Sequence, residues 1–116
     1  MKNTFEHLKT LLSPYEKELT IVHNKEDNYY LHTPPTPKKK KGEFFGAVQI
    51  KKNYVAFHLM PIYCNPELLQ DVSEDLKKKM QGKSCFNFKE IDEDKFEELK
   101  NLVESSFNDF RRQNKV

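Results

Sequence analysis

The feature that most constrains this fold is a pair of apolar segments, residues 43–50 and 54–60, separated by only three residues. In both segments one set of alternate residues is apolar, and a period of two is typical of a β-strand that packs one face against a core. Three intervening residues are enough for a hairpin loop. The sequence therefore predicts two adjacent strands that pair antiparallel.

A long amphipathic helix is predicted at the end of the chain, over residues 93–112, with Asp92 as its N-cap. Its apolar residues are Phe96, Leu99, Leu102, Val103, Phe107 and Phe110. Their spacings of three and four place them on one side of the helix. We expect this helix to cover the apolar face of the sheet.

The other elements complete the fold class. The pattern predicts a first helix at 3–13, a hairpin of strands at 19–22 and 29–33, short helices at 66–72 and 74–80, and a brief strand at 84–88. This order has no alternation of strand, helix and strand. The expected fold is α+β and a single domain over residues 1–116. It has a mostly antiparallel five-stranded sheet, helices packed on one face and a long C-terminal helix.

Residues 34–42 are predicted to form a mobile loop. They contain three prolines, four consecutive lysines at 38–41 and Gly42. Prolines cannot donate to a strand ladder, and the lysine charges repel one another. The chain has 20 basic and 18 acidic side chains, for a net charge of +2. Net charge alone therefore does not make the whole surface a binder of nucleic acid or membrane.

Several classes of protein are not indicated by this sequence. Its apolar stretches are far shorter than the roughly 20 residues that cross a bilayer. The first residues lack the apolar run of a secretory signal, so we expect a cytoplasmic protein without membrane partners. Two cysteines, Cys64 and Cys85, are then expected to be thiols. Three glycines without a glycine-rich loop do not form a nucleotide-phosphate motif.

Alternation divides each strand into two sets of side chains, and the two sets differ in character. The apolar sets, expected to face the helices, are Phe44, Val48, Ile50, Val55, Phe57, Leu59, Phe86 and Phe88. The opposite sets are Phe45, Ala47, Gln49, Tyr54, Ala56, His58, Met60, Cys85 and Asn87. A solvated sheet face is usually rich in Lys, Glu and Thr. The mixed sets therefore indicate a binding surface, unless the 34–42 loop or residues 61–65 cover it.

We expect this mixed face to bind a small molecule or a protein partner, and a second copy of the chain would also fit. The predicted centre comprises Tyr54, His58, Cys85 and Asn87, with Lys83 at its edge and Tyr30, Gln49 and Tyr63 at its rim. The alanines at 47 and 56 are expected to leave space above the sheet, which predicts a pocket.

The sequence Phe57-His58-Leu59-Met60-Pro61, and Gln81 to Phe88 before the capped final helix, resembles the YdhG-like bacterial domains. The resemblance covers roughly the C-terminal half of the chain and implies a small α+β domain. Most such domains lack an assigned activity, and some relatives are described as frataxin-like iron chaperones. The resemblance thus implies iron as a cofactor or cargo. The oxygen ligands would come from Asp92, Glu93, Asp94, Glu97 and Glu98.

Two further functions remain as alternatives. Cys85 and His58 on adjacent strands would suit a thiol nucleophile, but no motif or oxyanion donor accompanies them, so the sequence favours binding over catalysis. Lysines 38–41 with Lys51 and Lys52 would suit single-stranded nucleic acid. Nucleic acid is the less favoured partner, because the aromatic residues do not cluster with the lysines in the sequence.

Overall fold

The structure is a computed structural model that describes residues 1–116. Its strands are β1 (Thr20–Lys25), β2 (Asn28–His32), β3 (Phe44–Ile50), β4 (Val55–Leu59) and β5 (Cys85–Phe88). They follow one another across a single sheet in chain order, and each is antiparallel to the next. The predicted antiparallel five-stranded sheet is therefore confirmed.

The helices are α1 (Lys2–Leu12), α2 (Met60–Cys64), α3 (Glu74–Lys77) and α4 (Glu93–Arg112), with 3₁₀ turns at Ser13–Glu18 and Pro66–Leu69. The predicted α+β class with a long C-terminal helix is confirmed. Asp92 caps α4 by accepting a hydrogen bond from the Lys95 backbone N–H at 2.8 Å. None of these helices is both long and apolar enough to cross a membrane.

The short helices differ from the prediction. A helical turn, α2, begins directly at Met60, because Pro61 is acceptable in the first turn of a helix although it cannot continue the strand. The predicted 66–72 helix is only a 3₁₀ turn, and α3 ends at Lys77. Met80 instead forms a β-bridge to Phe86, so residues after α3 shield the outer edge of β5.

The helices lie on one face of the sheet, as the sequence predicts. A cluster of 21 buried apolar residues joins α1 and α4 to the strands. Its sheet members include Tyr29, Leu31, Val48, Val55, Phe57, Leu59, Phe86 and Phe88. Phe45 packs against Phe107 and Phe110 of α4, with ring centroids 5.9 and 5.8 Å apart in edge-to-face geometry. We call the sheet side that carries these residues the core face and the other side the open face.

The predicted positions of Phe44 and Phe45 were wrong, and a β-bulge explains the exchange. His32 pairs with Phe44 and Leu31 pairs with Gly46, so Phe45 is an extra residue without a partner on β2. Such an insertion reverses the alternation on one side of it. Phe45 is consequently buried in the core, and Phe44 lies on the open face.

The 34–42 loop is fixed at its base. The Thr33 backbone N–H donates to the Glu43 carbonyl at 2.7 Å, and the Thr33 hydroxyl accepts from the Glu43 N–H at 2.8 Å. Gly42 has a positive φ of 74°, which a glycine adopts without strain. A turn between Thr36 and Lys39 closes the tip. Mobility of the loop stays a prediction.

Candidate functional site

A row of five side chains crosses the open face from one edge of the sheet to the other. The pairing register aligns His23 with Tyr30, Tyr30 with Ala47, Ala47 with His58, and His58 with Cys85. All except the alanine are partly exposed. The predicted site residues Tyr30, His58 and Cys85 therefore lie together in one row.

A second row lies two residues away from the first on each strand, on the side of the loop between β3 and β4. It comprises Lys25, Asn28, Gln49, Ala56 and Asn87. The Gln49 amide donates to Asn28 Oδ1 at 3.1 Å, so these side chains brace one another across β2 and β3. Gln49 and Asn87 thus belong to the same surface as the first row, as predicted.

The open face contains an aromatic cluster that sequence reasoning did not find. Its members are His23, Tyr30, His32, Phe44 and His58. The Tyr30 and Phe44 rings stack at a centroid distance of 4.7 Å and an interplanar angle of 26°. Phe44 also approaches His58 edge-on at 6.3 Å. Strict alternation does not predict this cluster, because it assigns Phe44 to the core and takes no account of the bulge.

Cys85 is the centre of a small polar network. Its thiol donates to Asn87 Oδ1 at 3.3 Å, and its sulfur lies 3.6 Å from His58 Nε2. The Asn87 amide in turn donates to Gln81 Oε1 at 2.6 Å. These contacts join three of the four predicted central residues, His58, Cys85 and Asn87.

Burial determines the charge of this network. It raises the pKa of the Cys85 thiol, although the positive charge of Lys51 opposes part of the effect. Burial also lowers the pKa of His58, and the Lys51 charge lowers it further. Both groups are therefore neutral at pH 7, and they do not form the thiolate–imidazolium pair of an activated cysteine.

The lowered pKa of His58 gives a testable pH dependence. The His58 ring should titrate below the ordinary value of 6.5 in an NMR titration, and Lys51→Met should move its midpoint upward. As the pH falls, His58 takes up its proton at a higher pH in the unfolded chain than in the folded protein. Its titration should therefore lower the free energy of unfolding as the pH falls from 6.5 toward the folded-state pKa. A midpoint at or above 6.5 in the folded protein would contradict this description of the face.

Three predicted site residues, Tyr54, Lys83 and Tyr63, lie outside both rows. Tyr54 and Asn87 line a groove of about 970 Å³ at the corner of the sheet, next to Lys79 and Lys89. Lys83 is exposed in the turn before β5. Tyr63 belongs to α2, which packs against α4 and β3, and it is 55% exposed. Tyr63 is therefore not brought together with the aromatic cluster.

The expected space above the two alanines is absent. Ala47 and Ala56 are only 0% and 1% exposed, because their larger neighbours on the sheet close over them. The depressions that involve this face lie instead beside Asn87 and beside Asn28 and Gln49. Met60, expected on this face, packs against the core because it begins α2.

Two of the five acidic residues expected to hold iron, Asp92 and Glu98, have other partners. Asp92 caps α4 and forms an ion pair with Lys95 at 2.8 Å. Glu98 accepts hydrogen bonds from the backbone N–H and the hydroxyl of Ser73, at 2.8 and 2.5 Å. No group of three His, Cys, Asp or Glu side chains is close enough to hold a metal ion. The frataxin-like function therefore stays a prediction without a built site to support it.

The lysine run is adjacent to the aromatic cluster in the fold. The loop that carries it leaves the sheet at His32 and returns just before Phe44. Because a carbonyl oxygen can only accept, His32 Nδ1 donates to the Lys41 carbonyl at 2.9 Å. All four lysines are exposed. The lysine run and the aromatic cluster, which are not clustered in the sequence, therefore meet at the His32–Lys41 contact.

Comparisons with known proteins do not assign this chain. No family model, curated protein or solved structure matches it. The similarity to YdhG-like domains stays a prediction.

Proposed function

We propose that this chain is a binding domain whose ligand surface is the open face of the sheet. One observation carries this proposal, namely the aromatic cluster on the side of the sheet opposite α1 and α4. A sheet face that only contacts solvent does not usually carry a stacked tyrosine and phenylalanine with three histidines around them. A binding role gives these partly exposed rings a partner to cover them.

The chemistry of the row favours binding over covalent catalysis. A protonated Cys85 is a weak nucleophile, and a neutral His58 is already engaged near its sulfur. In their neutral forms both side chains can still donate hydrogen bonds to a ligand or accept them from it.

The shape of the surface favours an extended ligand over an enclosed small molecule. The groove of about 970 Å³ lies at the Tyr54–Asn87 corner, whereas the rings of the aromatic cluster are partly exposed on the sheet surface. A protein partner, a second copy of the chain or a polymer can lie along such a face. We also propose a cytoplasmic location, since both cysteines are free thiols.

A screen of small aromatic and heterocyclic fragments, followed by amide chemical shifts, tests this function. Fragments should shift the amide signals of β2, β3 and β4 at Tyr30, Phe44 and His58. Tyr30→Ala should weaken those responses by removing one of the stacked rings. Tyr63→Ala is the matched control, because it removes an exposed tyrosine that lies away from the cluster. It should leave the responses unchanged.

The proposal fails if fragments bind elsewhere and the residues of the aromatic cluster do not respond. It also fails if Tyr30→Ala and Tyr63→Ala have the same effect, because the cluster would then have no special part in binding.

A further inference from the structure

We infer that the ligand of the open face is single-stranded nucleic acid, held by base stacking on Tyr30 and Phe44 and by phosphate contacts to the lysines at both ends of β3. This assignment rests on the binding role proposed for the same face. It names the ligand by its chemistry, a polyanion that carries flat aromatic groups.

The proposed stacking platform is the pair Tyr30 and Phe44, whose rings stack on each other and therefore offer a base only the faces that point away from the partner ring. Tyr30 and Phe44 come from neighbouring strands, and the bulge at Phe45 places Phe44 beside Tyr30 instead of in the core. Partly exposed aromatic rings on a sheet are the usual stacking surface for unpaired bases, whatever their sequence. Asn28, Gln49 and Asn87 lie in the adjacent row and supply amide groups that can bond to base edges.

Positive charges border the platform at two ends. Lysines 38–41 lie in the loop that joins His32 to Phe44, and Lys51 and Lys52 follow β3 at its other end. Lys51 is close enough to influence both His58 and Cys85. Of the acidic side chains near these positions, Glu43 pairs with Lys115, and Asp27 lies in the β1–β2 turn beside Lys25.

Single strands fit this combination better than two other polyanions. In a duplex the bases are already stacked on one another, so Tyr30 and Phe44 would gain nothing and only the lysines would touch the ligand. An acidic peptide would satisfy the lysines, but carboxylates make no use of a stacked pair of aromatic rings. The joint presence of both features therefore selects single-stranded nucleic acid.

Fluorescence anisotropy with labelled oligonucleotides of about ten nucleotides tests the inference, a length within the usual site size of such surfaces. Single-stranded DNA and RNA of one sequence form two arms, and the corresponding duplex forms a third. We expect salt-dependent binding of the single strands and weaker binding of the duplex. The DNA and RNA arms decide which polymer is preferred.

Two kinds of variant separate stacking from charge. Phe44→Ala should weaken single-strand binding by roughly 5- to 150-fold, the range for removing the ring under one stacked base. Phe44→Leu should weaken it as well while keeping apolar volume, which guards against a fold defect. Replacing lysines 38–41 by glutamine should weaken binding and reduce the salt slope by about 0.7 for each phosphate that is no longer neutralised.

A charge-matched control distinguishes a local site from net charge. Gln replacements at Lys2, Lys17, Lys78 and Lys100 remove the same four charges from exposed positions outside the loop. Both quadruple variants reach the same net charge, but only the loop variant should lose affinity. Equal losses in the two variants would overturn the inference.

The remaining outcomes are also decisive. If single strands do not bind, or an acidic peptide binds and they do not, the inference is wrong. A fragment response at Tyr30 and Phe44 would then still support the binding role of the face. If single strands bind and neither Phe44 variant weakens them, binding is confined to the lysine loop and the inference is likewise wrong.

Discussion

Phe107→Ala should lower the free energy of unfolding by about 3–5 kcal/mol, the usual cost of truncating a buried phenylalanine. Phe107 is 2% exposed and packs between Phe45 of the sheet and Tyr15. Its removal would leave a cavity where α4 meets the core face. Urea denaturation followed by circular dichroism measures the change.

Phe96→Ala is the matched control for this prediction. Phe96 belongs to the same helix but is only partly buried, and its ring stacks on His7 at 4.1 Å near the surface. Helical spacing alone does not separate these two phenylalanines, since both fit the apolar stripe. We expect a clearly smaller loss of stability for Phe96→Ala, and equal losses would contradict the observed packing of α4.

Of the three Gly→Ala substitutions possible in this chain, Gly42→Ala should lower the free energy of unfolding the most. Gly42 has a φ of 74°, and an added Cβ would lie 2.0 Å from the Thr33 carbonyl oxygen. The backbone strain costs about 1–2 kcal/mol, and the base of the lysine loop must shift in addition. Thermal unfolding compares the variant with the parent chain.

Gly82→Ala isolates the part of this effect that comes from the backbone. Gly82 has a φ of 81°, but an added Cβ would have no atom within 4 Å. It should therefore cost only the strain of a left-handed residue. If Gly42→Ala is no more harmful than Gly82→Ala, Gly42 and Thr33 do not approach each other as closely as described.

The fold class could be predicted because several local signals agree. The apolar alternation in β3 and β4 and the three- and four-residue spacing in α4 each specify one element and one buried side. Asp92 adds a capping signal that places the start of α4 at Glu93. Each of these signals lies within a short stretch of the chain, so it can be recognised without knowledge of the tertiary structure.

The features that the sequence did not predict depend on tertiary contacts. Alternation alone cannot locate the bulge, because Phe44 and Phe45 are equally apolar and only the register with β2 decides which one is buried. The turn of helix at Met60–Cys64 follows a strand without a polar gap, and Pro61 is compatible both with the end of a strand and with a first helical turn, so it does not decide between them.

The candidate site was predictable only in part for the same reason. Strand parity placed His58, Cys85, Asn87 and Gln49 on one face correctly relative to one another. The pocket predicted above Ala47 and Ala56 is absent because neighbouring side chains cover both alanines, and strand parity does not describe that packing. The proximity of the lysine loop to Phe44 follows from the path of the loop, which alternation does not describe.

The histidine rings provide the most direct measurement of the binding role of the open face. His23, His32 and His58 lie on that face, whereas His7 lies on α1 and stacks on Phe96. Ring signals of all four are recorded while the fragments and the single-stranded oligonucleotides are added in turn. The proposed role predicts that the three open-face rings respond and His7 does not. A bound probe that moves His7, or none of the other three, would contradict it.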